Sequence, residues 1–559
     1  MSLPAVIRSQ VDPAAVTKVT RLFNNTLGDV LGELFQNARR AGATGVDLDL
    51  QMDGDEAWLA ITDDGEGIAD PSVILALGRS GWDESIARRE DPAGMGVFSL
   101  AGHDIEVRSR TTVGQGWEVH VAAAVWEAGT PIPVGIVEAP HGTRIRIRLG
   151  DRWKDTLDGS ARAAALHFPL PVRLGGTLLP SQDWLAGAEA VIETGGVRIG
   201  LFNDLRAARL SPCINFHGVI VAAALPSIAE KRRNWWARVD IVDAPDLQLV
   251  LPARKEMVEN AALGALRAAV LRAIYRHIQQ LGSHRLAHAQ WGEAAALGID
   301  LPEAEAVVQL WSPATADYNN RSARFELLPA GDHILVDRFE PAFEQCAAFA
   351  LSKAGGYDGR LAEPDDTMAG YSWYDRLPQI TALRFDIERD GETARLDAHE
   401  FPGLESGPVD RLTLVLEFGG EGAEALQIPA PVAIEYDEGT HWGFEEANIL
   451  LASHDAVTPA ELVDLLEGAC FSPSDDRNAD SWDTQHSRFV LDAQEVATRL
   501  LLGDDAALVE RLRAVLAHRA QWFVPEGRRF TVVLARNTIE IGLEPAQEAT
   551  QTVEGRADA

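Results

Sequence analysis

The chain has 559 residues, 46% hydrophobic and 24% charged, enough for about three or four domains. Its strongest apolar run, Val219 to Leu225, is far short of the ~18 residues of a membrane span, and the Met1-Ser2-Leu3-Pro4 start lacks the features of a signal peptide. Its 50 Lys+Arg against 84 Asp+Glu give a net charge of −34, which repels a phosphate backbone and argues against a general nucleic-acid binder.

In chain order, Leu27, Val30, Leu31, Leu34, Phe35, Ala38 and Ala41 recur at three- and four-residue steps and predict an amphipathic helix, punctuated by Gly42 and Gly45. Val46, Leu48 and Leu50 alternate with Asp47 and Asp49, the period of a strand with one buried face. Asp53-Gly54-Asp55 is a turn signal, and residues 57–62 read as the partner strand of a hairpin. Residues 78–96, rich in Gly, Ser, Asp and Arg, read as a loop. Strands are expected near 105–109 and 117–125, and Ile145, Ile147 and Leu149 alternate with Arg144, Arg146 and Arg148 in another.

From about 155 to 290, strand signals at 197–202, 214–222 and 236–242 precede a long helix expected from Glu256 to about Gln280. Beyond 290, strand-like runs lie near 324–336, 380–388, 410–418, 431–436 and 529–542. Helical patterns lie at 458–469, 490–502 and 505–520. The last ten or so residues read as a tail. Cys213, Cys346 and Cys470 are scattered, which fits a reducing cytoplasm better than a disulfide framework or a zinc site.

Four short segments carry chemistry. Glu33 and Asn37, in Glu33-Leu34-Phe35-Gln36-Asn37-Ala38, are one helical turn apart and share a face. A carboxylate there can deprotonate a water, and an amide oxygen can complete a magnesium site otherwise made of phosphates and waters. Asp63-Asp64-Gly65-Glu66-Gly67-Ile68 follows a strand; its glycines admit a flat ligand, and an aspartate at the strand end can accept from an exocyclic amine such as that of adenine. Gly94-Met95-Gly96-Val97-Phe98-Ser99 offers bare amides at the start of an apolar run, where phosphate binds. His141-Gly142-Thr143 heads the Arg-alternating strand. Taken singly, each segment also reads as an ordinary turn or a solvated polar pair.

In this order, the four segments resemble the ATP-binding domain of the GHKL superfamily, which includes gyrase B, HtpG-type chaperones, histidine kinases and MutL. Asn37-Ala38-Arg39-Arg40-Ala41-Gly42-Ala43-Thr44 is similar to the MutL pattern, while Arg79-Ser80-Gly81 and the stretch from Ala93 to Ser99 are similar to HtpG-type chaperones. The resemblance implies a Bergerat α/β sandwich that binds ATP and Mg2+, with Glu33 as general base, Asn37 as the magnesium ligand and Asp63 as the adenine reader. It implies further that Gly65, Gly67 and Ile68 line the base pocket and that Thr143 supports the water beside Asp63. Residues 78–96 would form the lid, and Gly94, Met95, Gly96, Val97 and Phe98 would bind the nucleotide. Arg40 departs from the pattern, because the family has an acidic residue there.

Beyond 155, Asn215-Phe216-His217-Gly218-Val219-Ile220-Val221 looks like the central strand of a transducer domain. The stretch from Leu251 to Met257 looks like the segment that presents a cation to the terminal phosphate, with Arg254 and Lys255 both candidates. His277, His284 and His288 could offer metal-ligand spacing on one helix face, or be solvated helix histidines. Lys231-Arg232-Arg233-Asn234-Trp235-Trp236 is a basic and aromatic cluster that could grip nucleic acid, or serve as a protein contact or half-buried strand start. Trp373, Tyr374, Trp442 and Trp482 are expected in core packing.

The expected fold class is α+β. An ATP-binding domain spans 1–155, a transducer-like α/β domain 156–290, and a mixed partner-binding region of unknown fold 291–559. The function expected first is a cytoplasmic, chaperone-like ATPase clamp on a protein client, with two copies associating on ATP binding. The alternatives are a MORC- or MutL-like clamp on nucleic acid and a nucleotide-binding module with little turnover.

Overall fold

The computed structural model describes residues 26–75, 100–128, 130–204, 213–231, 233–250, 256–317, 326–355, 360–419, 425–436, 447–519, 522, 524 and 528–544. The chain divides into two compact units, Met1–Glu305 and Ala306–Ala559. Both are mixed α/β, as the sequence predicts.

The first unit opens on α1 (Leu27–Arg40), whose start is capped by the Thr26 hydroxyl accepting from the Asp29 amide at 3.1 Å. Its buried stripe of Leu27, Val30, Leu31, Leu34, Phe35 and Ala38 is the one the periodicity predicts. The strands β1 (Val46–Asp53) and β2 (Glu56–Asp63) then form a hairpin in full register, Val46 opposite Asp63 and Asp53 opposite Glu56. They are followed by β3 (Ile105–Arg110), β4 (Trp117–Val121), β5 (Gly135–Ile136) and β6 (Gly142–Leu149). After β6 come α2 (Asp151–Ala165), β7 (Val172–Leu174) and β8 (Thr177–Leu178). The eight strands make one sheet in the order β5-β4-β3-β6-β2-β1-β7-β8. This sheet runs past residue 155 because β7 pairs in parallel with β1. The helix α2 buries only Leu157, Ala161 and Ala165, too thin an apolar stripe to announce itself in the sequence.

A second sheet contains β9 (Ala190–Thr194), β10 (Val197–Asn203), β11 (Ile214–Phe216), β12 (Val219–Val221), β13 (Ile228–Glu230) and β14 (Arg233–Ile241). Its path is β12-β11-β14-β10-β9, with β13 on β14. The segment expected as a continuous central strand over 214–222 is instead the hairpin β11–β12. His217 and Gly218 adopt φ of 53° and 99°, which reverses the chain in two residues, and β14 holds the central place. Packed on this sheet is α3 (Ala261–Leu281), followed by α4 (His288–Ala296). The helix begins later than Glu256 because the Asn260 side chain caps it, accepting from the Leu263 amide at 2.9 Å. It ends at Gly282, so His284 sits in the connection and His288 on the next helix; the three histidines share no helix face.

The second unit contains an eight-stranded sheet along Val307–Leu310, Leu327–Pro329, Ile334–Val336, Leu361–Glu363, Gln379–Arg389, Glu392–Leu396, Arg411–Phe418 and Leu426–Pro429. Three helices, α5 (Pro341–Ala354), α6 (Pro459–Cys470) and α7 (Trp482–Leu502), enclose its core. The unit also holds a three-stranded sheet of Gly407–Pro408, Asn448–Leu451 and Val432–Glu435, the helix α8 (Asp504–Arg519) and a hairpin of Arg529–Ala535 with Thr538–Glu544. Among the described residues, no helix is long and apolar enough to cross a membrane.

Candidate functional site

Strand register places one row of residues across the first sheet. Asp63 on β2 lies opposite Thr143 on β6, and Thr143 lies opposite Ser109 on β3. The row ends with Ser109 opposite Trp117 on β4. These side chains and the loop after β2 form the floor of the candidate site. The Ser109 hydroxyl, fully buried, donates to the Gly142 carbonyl at 2.9 Å, lies 3.1 Å from the Thr143 hydroxyl and accepts from the Ile68 amide at 2.8 Å. Trp117 Nε1 donates to the Ile68 carbonyl at 2.8 Å, so both backbone groups of Ile68 are held.

Asp63 stands at the end of this floor. One carboxylate oxygen accepts from the Gly65 amide at 3.0 Å. Burial, assisted by the neighbouring Asp64 charge, pushes its carboxyl up to about 6 from 3.8, against the backbone hydrogen bonds from Gly65 and Thr143. Gly142 sits at φ 104° directly against the Asp63 carbonyl, where a Cβ has no room. Asp64 turns the other way. It accepts from the Thr44 amide at 2.6 Å and from the Thr44 hydroxyl, and these bonds hold its carboxyl below the usual range. The Glu66 amide donates to the Ala41 carbonyl at 2.8 Å, which ties the glycine loop to the end of α1.

Glu33 and Asn37 lie one turn apart on α1, both half-buried. The Asn37 amide oxygen accepts from Arg40 Nη1 at 3.4 Å, so the residue that departs from the family pattern lies beside the proposed magnesium ligand. An amide oxygen has two lone pairs, and this long bond occupies one of them. Asn37 therefore fits one protein ligand to a magnesium ion that phosphates and waters would otherwise coordinate. Among the described residues, no three His, Cys, Asp or Glu side chains gather to hold a metal.

Of the residues singled out in the sequence, Glu33 and Asn37 lie on α1, Asp63, Gly65, Gly67 and Ile68 on β2 and its loop, and Thr143 on β6. Gly94, Met95, Gly96, Val97, Phe98, Arg254 and Lys255 lie outside the described residues. Ser109 was not legible, because a lone serine in an alternating strand carries no motif. In the basic and aromatic cluster, Trp235 and Trp236 are core residues, 1% and 8% exposed, which removes them as stacking platforms for bases. Two of the three arginines of β6 are engaged on the sheet: Arg146 pairs with Glu106 and lies over Trp58, and Arg148 pairs with Asp104 at 2.9 Å.

No family model matches the chain. It is similar to the DNA mismatch repair protein MutL of Gemmatimonas aurantiaca (strain DSM 14586 / JCM 11422 / NBRC 100505 / T-27). The two are 24% identical over 450 residues, covering 76% of this chain and 67% of the relative. A solved N-terminal domain of a DNA repair protein covers 48% of this chain and 98% of its own, at 12% identity and a TM-score of 0.30. The likeness to MutL agrees with the GHKL resemblance read from the motifs.

Proposed function

We propose that the chain binds and hydrolyses Mg-ATP and acts as an ATP-driven clamp on nucleic acid. The observation that supports this most is Asp63, a desolvated carboxyl at a strand end, set beside the helix that carries Glu33 and Asn37. In this reading Asp63 accepts from the adenine amine, Gly65, Gly67 and Ile68 border the base, and Thr143 holds the water beside it. Glu33 takes a proton from the attacking water as its oxygen bonds to the terminal phosphorus and the bond to ADP breaks. Magnesium, when bound through Asn37 and the phosphates, offsets their charge. Gly94, Met95, Gly96, Val97 and Phe98 bind the nucleotide at its phosphates, and Arg254 or Lys255 supplies the cation for the terminal phosphate.

The similarity to a mismatch repair protein favours nucleic acid over the protein client expected first. It also outweighs the objection from net charge, since a local contact at Lys231 and Arg233 needs no basic surface elsewhere. With Trp235 and Trp236 buried, that contact works by charge, so it should be sensitive to salt. ATP is expected to bring two copies together in the cytoplasm.

The test is anisotropy of labelled duplex DNA with the full chain, with and without a non-hydrolysable ATP analogue, at two salt concentrations. The expected result is binding that the analogue strengthens and salt weakens. DNA binding that is absent at low salt in every nucleotide state would remove the nucleic-acid clamp and return the protein client as the leading reading.

A further inference from the structure

The proposed base and metal ligand sit on a helix that is also held by the second sheet. Gln36 lies between them in sequence, is 2% exposed, and donates from Nε2 to the main-chain carbonyl of His217, 181 residues away. That carbonyl belongs to the turn of the β11–β12 hairpin, where His217 adopts a left-handed backbone conformation, uncommon for a residue with a side chain. Such a conformation persists only where surrounding structure holds it.

The hairpin turn is held from several sides. The Gly218 amide donates to Asn215 Oδ1 at 2.7 Å, and Asn215 Nδ2 donates to Asp240 Oδ1 on β14 at 2.8 Å and to the His167 carbonyl at 3.2 Å. Asp240 is paired with Arg198 at 3.1 Å. Phe168 contacts the Phe35 ring of α1 at 5.2 Å, and Gly218 lies against Phe168 so closely that a Cβ would press on it. One polar contact from α1 thus meets directly a turn braced on the central strand of the second sheet, and one aromatic contact reaches it through Phe168.

We infer that Gln36 is a positioning residue that registers the Glu33–Asn37 helix on the β11–β12 turn of the second sheet, so that the two sheets respond to nucleotide together. The inference rests on the function proposed above, but the latch can be observed without turnover. A buried amide that loses its acceptor, or a carbonyl that loses its donor, is costly, so the bond is kept in both nucleotide states or the turn moves with the helix. No part of this requires Gln36 to touch ATP.

The experiment uses the full chain and hydrogen exchange of residues 214–221 with and without a non-hydrolysable ATP analogue, in the wild type, Gln36→Leu and Gln36→Glu. Leucine removes the donor, and glutamate sets an acceptor against the carbonyl. In the wild type the analogue should slow exchange in this hairpin, and in both variants that effect should be lost. The variants should bind ATP within about threefold of wild type, yet turn it over about tenfold more slowly, the scale of one hydrogen bond made effective only in the transition state. Hairpin exchange that ignores nucleotide in the wild type would overturn the latch, whether or not the variants fold. Lost protection with unchanged kcat would show a structural contact and overturn the positioning role. A wild-type chain that binds no ATP would instead overturn the functional reading, and its hairpin would then be judged on Gln36→Leu alone: unchanged exchange there also overturns the latch.

Discussion

The two units bury polar groups to different ends. In the second unit, Glu344 on α5 is 3% exposed, and its two carboxylate oxygens accept from the Ala314 and Phe339 amides, both at 2.7 Å. Glu435 likewise accepts from the Gly403 amide at 2.8 Å. These carboxylates fasten loops to the core. In the first unit, Asp63, Thr143 and Ser109 form a row across three strands with Asp63 at its end, and the Asp63 carboxyl is pushed up to about 6. Both the Asp63 and the Glu344 carboxyls are pushed up by burial against two backbone hydrogen bonds, so neither burial nor amide partners separate them. The comparison teaches that buried charge alone does not mark a site; what sets Asp63 apart is its place at a strand end, in a loop tied to the end of the helix that carries Glu33 and Asn37.

The largest effect that can break this comparison is at Glu33. Glu33→Ala should retain ATP but lose about 10²–10⁴-fold in turnover, read by single-turnover hydrolysis. Wild-type turnover would remove Glu33 as the base. Next, replacing Arg254 and Lys255 together by Ala should lower turnover about 10²-fold with ATP affinity nearly intact, as for a group that acts on charge developing in the transition state. Calorimetry and kinetics on one preparation separate the two effects.

The second unit provides the contrast. Glu344→Ala strands two backbone amides and should lower its unfolding free energy by about 2–4 kcal/mol in chemical denaturation, without altering ATP affinity. Loss of ATP binding there would mean that the carboxylate's role is not confined to its own unit. The smallest effect is expected at Arg40. Arg40→Asp removes the 3.4 Å contact to Asn37 and should change the magnesium dependence of ATP binding by less than about tenfold, read by titration with metal.

Much of this was legible from residue pattern. The period of Leu27 to Ala38 predicts α1, and alternation predicts β6 and the start of β1, which bury one face; Leu50 of β1 is exposed instead of buried, and β2 is buried on both faces from Ala57 to Ile61. The motif residues Glu33, Asn37, Asp63 and Thr143 could be assigned to elements that way. Pattern fails where contacts are long-range or small. Ser109 matters through strand register, and Gln36 through a bond to a carbonyl 181 residues on, neither of which leaves a local trace. The helices α2 and α5 bury alanines in place of a strong leucine stripe, and the His217–Gly218 turn interrupts an apolar run that otherwise reads as one strand.

The central claim is tested most directly by calorimetry of ATP binding to the wild type and Asp63→Asn, across pH 5 to 8. Because the folded carboxyl titrates near 6 instead of 3.8, the empty protein gains stability from its protonated form and loses it as pH rises from about 4 through 6. Asp63→Asn should therefore be the more stable empty protein at pH 7, with that part of the pH dependence flattened. The ionised carboxylate is the stronger acceptor for adenine's amine, so wild-type ATP affinity should weaken as pH falls through about 6, beyond the change that the variant shows. At pH 7.5 the variant should bind ATP about 10- to 100-fold more weakly, the scale of a hydrogen bond to a charged group. Equal affinities at pH 7.5, or matching pH profiles, would contradict Asp63 as the adenine reader and with it the nucleotide site.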